Sequence, residues 1–126
     1  MNFNQKFEPK GNKVIHGAGQ SLEQFKKYSD SVEEFKPAIY MTYAKIHKIQ
    51  QWIKKIRNEL KQFPDLMLQI GLKLLDADGK DQTSKVLAGK YDEDLDKFFR
   101  MIQKMKRSKF IRIGYEFDKK GKYDSD

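Results

Sequence analysis

The stretch Phe110–Asp118 reads FIRIGYEFD, and its apolar and polar side chains alternate as they do in a β-strand. The two faces are Ile111, Ile113 and Tyr115 on one side and Arg112, Gly114 and Glu116 on the other. One face is therefore apolar, whereas the other combines a cation, a glycine and a carboxylate. Buried polar and charged groups need hydrogen-bond or ion-pair partners, which a uniformly apolar core does not provide.

The preceding predicted strand, at 66–74 (LMLQIGLKL), shows the same division. Its faces are Leu68, Ile70 and Leu72 on one side and Gln69, Gly71 and Lys73 on the other. A parallel sheet covered by helices on both sides favours apolar residues on both faces. In a (β/α)8 barrel the outer face packs on helices, while small and polar residues meet around the axis. The alternation therefore predicts a barrel rather than an open, doubly wound sheet.

Strand-like and helix-like segments alternate along the rest of the chain. Residues 13–19 (KVIHGAG) predict a first strand, Ser21 and Gln24 form a capping box that opens a helix, and Pro37 ends that helix. Residues 38–43 (AIYMTY) predict a second strand. Two later helices have apolar residues at helical spacing: Ile46, Ile49, Ile53, Ile56, Leu60 and Phe63, then Leu95, Phe98, Phe99, Ile102 and Met105. The order βαβαβαβ predicts an α/β protein with a parallel sheet and right-handed crossovers.

The predicted unit contains only half of the strands that a barrel requires. A complete (β/α)8 barrel takes about 250 residues, and this chain has 126. We interpret residues 1–12 as a lead-in segment and residues 13–126 as a parallel (βα)3β unit, the first four strands of a barrel. The expectation is either a fragment of a longer protein or a half barrel that self-associates through its open edges, since unpaired edges are an aggregation hazard.

Composition and charge narrow the classes of partner. The chain has no cysteine, which excludes disulfides and thiolate metal sites. Its net charge of +8 would attract nucleic acid, but the basic residues concentrate at 45–61 and 100–112, where helical spacing makes them solvated outer faces. No nucleic-acid-binding motif accompanies them. We expect no nucleic-acid partner and no membrane span. The sequence does not start with an apolar leader, and it does not distinguish a secreted from a cytoplasmic protein.

Polar residues at the predicted strand ends form the candidate site, because barrel active sites lie at the carboxyl ends of the strands. These residues are His16, Gln20, Thr42, Tyr43, Lys73, Glu116 and Asp118. Carboxylates, an imidazole, amides and aromatic rings are groups that bind sugars, and glycoside hydrolysis commonly uses two carboxylates. Glu116 is placed to protonate a leaving oxygen. The acidic loop residues Asp76, Asp78 and Asp81 lack the spacing of a calcium loop, so no calcium site is expected there. No other metal and no cofactor are expected.

Several of these residues also have a purely structural interpretation. Glu116 could pair with Arg112 or with a lysine inside the barrel, and His16 could equally be a core histidine. Arg112 is interpreted as a bridge between layers of the barrel interior. Tyr43 could be a packing residue, and Trp52 is predicted to pack on the outside of the barrel or at its rim.

The motifs IHGAGQ, KPAIYMTY, LQIGL and FIRIGYEFD together resemble the first four strands of retaining glycoside hydrolases of the large (β/α)8 clan, particularly bacterial β-mannanases and β-xylanases. The resemblance runs from about Lys13 to Asp118. It implies that Glu116 is the general acid/base and that the nucleophile, a glutamate after strand seven, lies outside this chain. The clan usually has Asn or His before the acid/base, whereas this chain has Tyr115.

The leading hypothesis from the sequence is thus a fragment of a retaining hydrolase that acts on a β-linked polysaccharide such as mannan or xylan. Its substrate contacts would be His16, Gln20, Tyr43 and Asp118, and the 126-residue chain alone would be inactive. The alternative is a non-catalytic half-barrel module that completes a barrel with a second chain.

Overall fold

The computed structural model describes residues 14–19 and 21–114. The strands are β1 (Gly17–Ala18), β2 (Ile39–Lys45), β3 (Met67–Lys73) and β4 (Lys109–Ile113). The helices are α1 (Leu22–Ser31), α2 (Ile49–Leu60), α3 (Thr83–Leu87) and α4 (Asp92–Lys104), with a 3-10 turn at Ile46–Lys48 before α2. All four strands are parallel and lie in the order β1-β2-β3-β4. The predicted α/β class with a parallel sheet is confirmed.

The helices pack on one face of the sheet and bury its apolar side chains there. Tyr40 and Ala44 of β2 and Leu68, Ile70 and Leu72 of β3 are almost fully buried in the same cluster as residues of α1, α2 and α4. The ring of Phe25 in α1 lies 5.0 Å from that of Tyr40, and the ring of Phe98 in α4 lies 5.4 Å from that of Trp52 in α2. The predicted alternation of β3 is confirmed, and Trp52 of α2 is buried against the sheet.

Helix α1 begins as the sequence predicts and ends earlier. The Ser21 Oγ accepts a hydrogen bond from the Gln24 amide at 3.3 Å, and the Ser21 amide donates to the Gln24 side chain. The capping box is therefore confirmed. The helix ends at Ser31, six residues before Pro37, and Glu33 follows with a φ of 45°. A left-handed residue stops a helix without any proline, so the assignment of the helix end to Pro37 was wrong.

Strand β1 is shorter than predicted and lies at the glycines. Val14 and Ile15, which suggested the strand, are exposed, and pairing with β2 starts only at Gly17 opposite Ile39. Since Ile39 is the first residue of β2, Val14 and Ile15 have no strand beside them. A Cβ added to Gly17 would lie 2.8 Å from the Ile39 Cβ. The glycine thus allows the close approach that a β-branched residue would prevent.

The third crossover contains two helices instead of the single predicted one. In α4, Phe98 and Ile102 are buried as expected, but Met101 takes the third buried position while Phe99 remains 42% exposed. Phe99 instead packs its ring on that of Phe98 at 5.2 Å. The buried face of α4 therefore consists of Phe98, Met101 and Ile102, and it excludes the predicted core residue Phe99.

The basic segment at 100–112 has two different roles. Arg100 pairs with Asp96 on the exposed face of α4, as expected for a solvated helix surface. Arg107 lies after the helix and donates hydrogen bonds to the carbonyl oxygens of Phe63, Leu66 and Leu60. Lys109 in β4 donates to the carbonyl oxygens of Ile102 and Met105. These two cations cap the C-terminal ends of α2 and α4, where carbonyl groups lack helical partners.

Candidate functional site

The sheet face opposite the helices, which we call the open face, carries the candidate site. It consists of the residues that alternate with the buried ones, namely Ile39, Met41, Tyr43 and Lys45 in β2, Met67, Gln69, Gly71 and Lys73 in β3, and Phe110 and Arg112 in β4. This division follows the period of two along each strand, because successive side chains point to opposite faces.

Three residues in register form a row across the open face. Tyr43 lies opposite Gly71, and Gly71 lies opposite Arg112. Gly71 has no side chain and is buried between these two neighbours, with Met41 and Gln69 close by on the same face. With neighbouring strands about 4.8 Å apart, the Cα atoms of Tyr43 and Arg112 are separated by roughly 10 Å.

The carboxyl edge of the open face carries two lysines that lie side by side. Strand β2 continues to Lys45, two residues beyond its predicted end, and Lys45 is in register with Lys73. Lys73 ends β3 as predicted. Lys45 was missed because the predicted strand stopped at Tyr43. Its signal is the continued alternation Tyr43-Ala44-Lys45, in which Ala44 is completely buried.

A histidine hydrogen bond and a short backbone bridge hold the segments that follow β2 and β3. The His47 Nδ1 lies 2.9 Å from the Leu75 carbonyl oxygen, and because that oxygen can only accept, Nδ1 carries the proton. The residues after β3 turn back on themselves, with Leu75 bridging to Asp81. His47 therefore ties the start of the second crossover to the loop after β3. The sequence interpretation did not include His47.

Asp76 organises the acidic loop after β3. Its carboxylate accepts hydrogen bonds from the amides of Lys80 and Asp78 and from the buried Gln82 side chain. The amide of Lys80, in the first place, and then that of Asp78 hold the pKa of the Asp76 carboxyl below its usual range, with help from the charges of Lys80 and Lys85. The hydrogen bonds of the Asp76 carboxylate therefore stabilise the turn of the loop that contains it. Within residues 14–19 and 21–114, no group of three or more His, Cys, Asp or Glu side chains could hold a metal ion.

Two of the predicted strand-end residues point away from the open face. Thr42 is buried on the helix side and accepts a hydrogen bond from the Trp52 indole at 3.3 Å. His16 precedes β1, and its carbonyl oxygen accepts from the Ala38 amide just before β2. The His16 ring packs edge-on against Tyr28 of α1 at 6.3 Å. His16 therefore lies at the amino end of the sheet, because β1 begins after it, and its predicted position at a carboxyl strand end was wrong.

Tyr43 is the predicted substrate contact that the structure places on the open face, where 49% of the side chain is exposed. Gln20, Glu116 and Asp118 lie outside the described residues, as does Tyr115. Arg112 lies on the open face, exposed, one row below the lysine pair. The described part of the candidate site thus consists of an aromatic ring, an amide and three cations around a glycine.

The described residues of this arrangement can bind a polar ligand. Tyr43 and Gln69 offer hydrogen bonds to hydroxyl groups, and Arg112 and the lysines offer donors with positive charge. The chain matches no protein-family model, no curated protein and no solved structure. Among the described residues, no helix combines the length and the apolar character needed to cross a membrane.

Proposed function

We propose that this chain forms the first half of a (β/α)8 barrel that hydrolyses a β-linked polysaccharide by a retaining mechanism, with Glu116 as the general acid/base. The observation that carries the proposal is the strand order β1-β2-β3-β4 with all helices on one face. Consecutive strands of a barrel are neighbours and turn one common face to the surrounding helices. A doubly wound sheet instead reverses its strand order and has helices on both faces.

The chemistry of the open face supports carbohydrate as the ligand. In a barrel this face surrounds the axis, and Tyr43, Gln69 and Arg112 would line the floor below the active site. Glu116 follows Arg112 by four residues in the sequence, and it matches the acid/base of the glycosidases that FIRIGYEFD resembles. A retaining mechanism needs a second carboxylate about 5 to 5.5 Å from the first. The proposal assigns that nucleophile to polypeptide outside this chain.

The test is a Glu116→Gln variant of the complete polypeptide that contains this chain, assayed on β-mannan and β-xylan oligosaccharides. Loss of general acid catalysis should lower kcat/KM on natural glycosides by about 100- to 10,000-fold. Aryl glycosides with an acidic leaving group need no proton, so their first-step rate should fall far less. The matched control is Glu34→Gln, since Glu34 is exposed in the turn after α1. Unchanged activity of Glu116→Gln, or an equal loss on both substrate classes, would refute the acid role.

A non-catalytic half-barrel module is the second candidate, and the edges of the sheet favour it. Within the described residues, β1 and β4 each pair on one side only, and Ile113 at the β4 edge is 59% exposed. A second copy could supply the missing strands. Sedimentation equilibrium of the 126-residue chain separates the two cases: the module predicts twice the chain mass of 14.9 kDa, whereas a well-folded particle of single mass contradicts it.

A further inference from the structure

A surface cleft of about 330 Å³ lies between the last turn of α2 and the segment after α4. We call it the amino-end cleft, because its residues end these helices or follow them, and strands β3 and β4 begin directly afterwards. Four cationic side chains line it, namely Arg57, Lys61, Lys106 and Arg107. None of the described residues that line the cleft is acidic.

One of these cations, Arg107, already serves the end of α2. Its guanidinium donates hydrogen bonds to the carbonyl oxygens of Leu60, Phe63 and Leu66. Lys109 does the same at the end of α4. The end of a helix carries only about half a negative charge, so these two cations exceed the charge of the two helix ends. The other three cations of the cleft are therefore not needed as caps.

Arg57, Lys61 and Lys106 are exposed, and within residues 14–19 and 21–114 none of them forms an ion pair. The carboxylate that acts on the cleft from outside its lining is that of Asp65. Partial burial lowers the pKa of Arg107, and the charge of Asp65 acts in the opposite direction. Four cations against one carboxylate leave a net charge of about +3, which attracts anions.

Three apolar side chains lie among the cations: Leu60, Pro64 and Met105. Leu60 is only 5% exposed and Met105 is half-buried, so they form the floor of the cleft. A surface that binds a membrane instead presents apolar side chains that enter the lipid. Single-stranded nucleic acid is held by aromatic rings on which its bases stack, and the described lining contains no aromatic residue. The cleft is therefore better suited to a small ligand.

We propose that the amino-end cleft binds a small phosphate monoester whose organic part is apolar. This site is separate from the proposed hydrolase site and does not depend on it. A phosphate ester carries about −1.5 to −2 charges at neutral pH and three acceptor oxygens, which match the unpaired Arg57, Lys61 and Lys106. Arginine in addition binds phosphate through two parallel donors. The volume of the cleft is at the lower end of the range for small-molecule sites, about 300 to 1,000 Å³.

The test is a calorimetric titration of the 126-residue chain with phenyl phosphate, inorganic phosphate and benzyl alcohol. We expect phenyl phosphate to bind about fivefold more tightly than inorganic phosphate, because only the ester contacts the apolar floor. Benzyl alcohol has the ring without the charge and should not bind measurably. Raising the salt concentration tenfold should weaken the binding of phenyl phosphate.

The double variant Lys61→Met, Lys106→Met should bind phenyl phosphate about tenfold more weakly, since methionine keeps an apolar stem and removes the charge. The matched control is Lys48→Met, Lys90→Met. It removes two exposed lysines that precede α2 and α4, at the other end of the sheet, and lowers the net charge equally. Its affinity should stay within about twofold of the native value. Lys61→Arg, Lys106→Arg should retain binding, which separates loss of charge from loss of folding.

Several outcomes would overturn the proposal. One is the absence of phenyl phosphate binding at millimolar concentration, and another is equal affinity for phenyl phosphate and benzyl alcohol. Equal losses in the two methionine double variants would show that general charge attraction, and not this cleft, holds the ligand. Equal affinity for inorganic phosphate and phenyl phosphate would refute an apolar ester as the ligand. Binding of phosphatidylglycerol vesicles or of a single-stranded RNA oligonucleotide that depends on Lys61 and Lys106, without binding of phenyl phosphate, would also refute it.

Discussion

The Trp52 indole donates a hydrogen bond to the Thr42 Oγ1 at 3.3 Å, and both side chains are buried between α2 and the sheet. Thr42 is one of two buried polar or charged residues in the described part of the chain, the other being Gln82. Thr42 was a candidate site residue because it lies near a strand end. Its hydroxyl instead accepts the hydrogen bond of a buried tryptophan.

Replacing Thr42 with valine should test this role, because valine keeps the shape and removes the acceptor. A buried donor left without a partner costs about 1 to 3 kcal/mol, so the free energy of unfolding in urea should fall by about that amount. In a Trp52→Phe background the same replacement should cost less, since no indole N–H remains and only the interaction of Thr42 with Tyr40 is lost. A cost that is equal in both backgrounds would show that the hydrogen bond contributes nothing.

Arg107 is expected to stabilise the amino end of the sheet through three carbonyl groups that follow or end α2. Its guanidinium lies 2.8 to 3.3 Å from the carbonyl oxygens of Leu66, Phe63 and Leu60. Hydrogen bonds from a charged donor are worth about 1.5 to 3 kcal/mol, so Arg107→Met should lower the free energy of unfolding by about 2 kcal/mol.

Arg107→Lys should recover only part of this loss, because an ammonium group lacks the planar fork of the guanidinium. The matched control is Arg57→Met on the exposed side of α2, which should stay within about 0.5 kcal/mol of the native protein. Equal effects of Arg107→Met and Arg57→Met in urea denaturation would contradict the capping role.

Tyr40 should make the fold sensitive to alkaline pH. Burial of the phenol, followed by the charge of Glu59 and its hydrogen bond at 3.4 Å, raises the pKa of Tyr40 to about 12. The folded state therefore holds the phenol proton more tightly than the unfolded chain, whose tyrosine pKa is about 10. The resulting stability is fully present below pH 10 and is lost as the pH rises from about 10 to 12.

A pKa raised from 10 to about 12 corresponds to a contribution of about 3 kcal/mol at most to the free energy of unfolding. Tyr40→Phe has no ionisable group at this position, so its free energy of unfolding should decline less than that of the native protein between pH 9 and pH 12. Tyr28→Phe is the control, because Tyr28 is 42% exposed and its removal should leave the decline unchanged. Parallel declines of Tyr40→Phe and the native protein would refute the linkage.

The sequence by itself determined the alternation of strands and helices, apart from the short helix α3, and the two faces of β3. Alternation in 66–74 separated Leu68, Ile70 and Leu72 from Gln69, Gly71 and Lys73, and the structure buries the first set almost completely. The capping box at Ser21 and the apolar spacing of α2 were equally readable. These features are local, since a period of two or 3.6 and a side-chain cap depend on residues close together in the chain.

Only the tertiary structure decided which polar residues share the open face. His16 lies at the amino end because β1 comprises only Gly17 and Ala18, which follow it. Thr42 faces the helices with Tyr40 and Ala44, where its hydroxyl accepts from Trp52. Lys45 joins Lys73 because β2 extends two residues further than its composition suggested. Strand ends and register depend on partners distant in the sequence, so the grouping of Tyr43, Lys45, Lys73 and Arg112 around Gly71 emerged only from the assembled sheet.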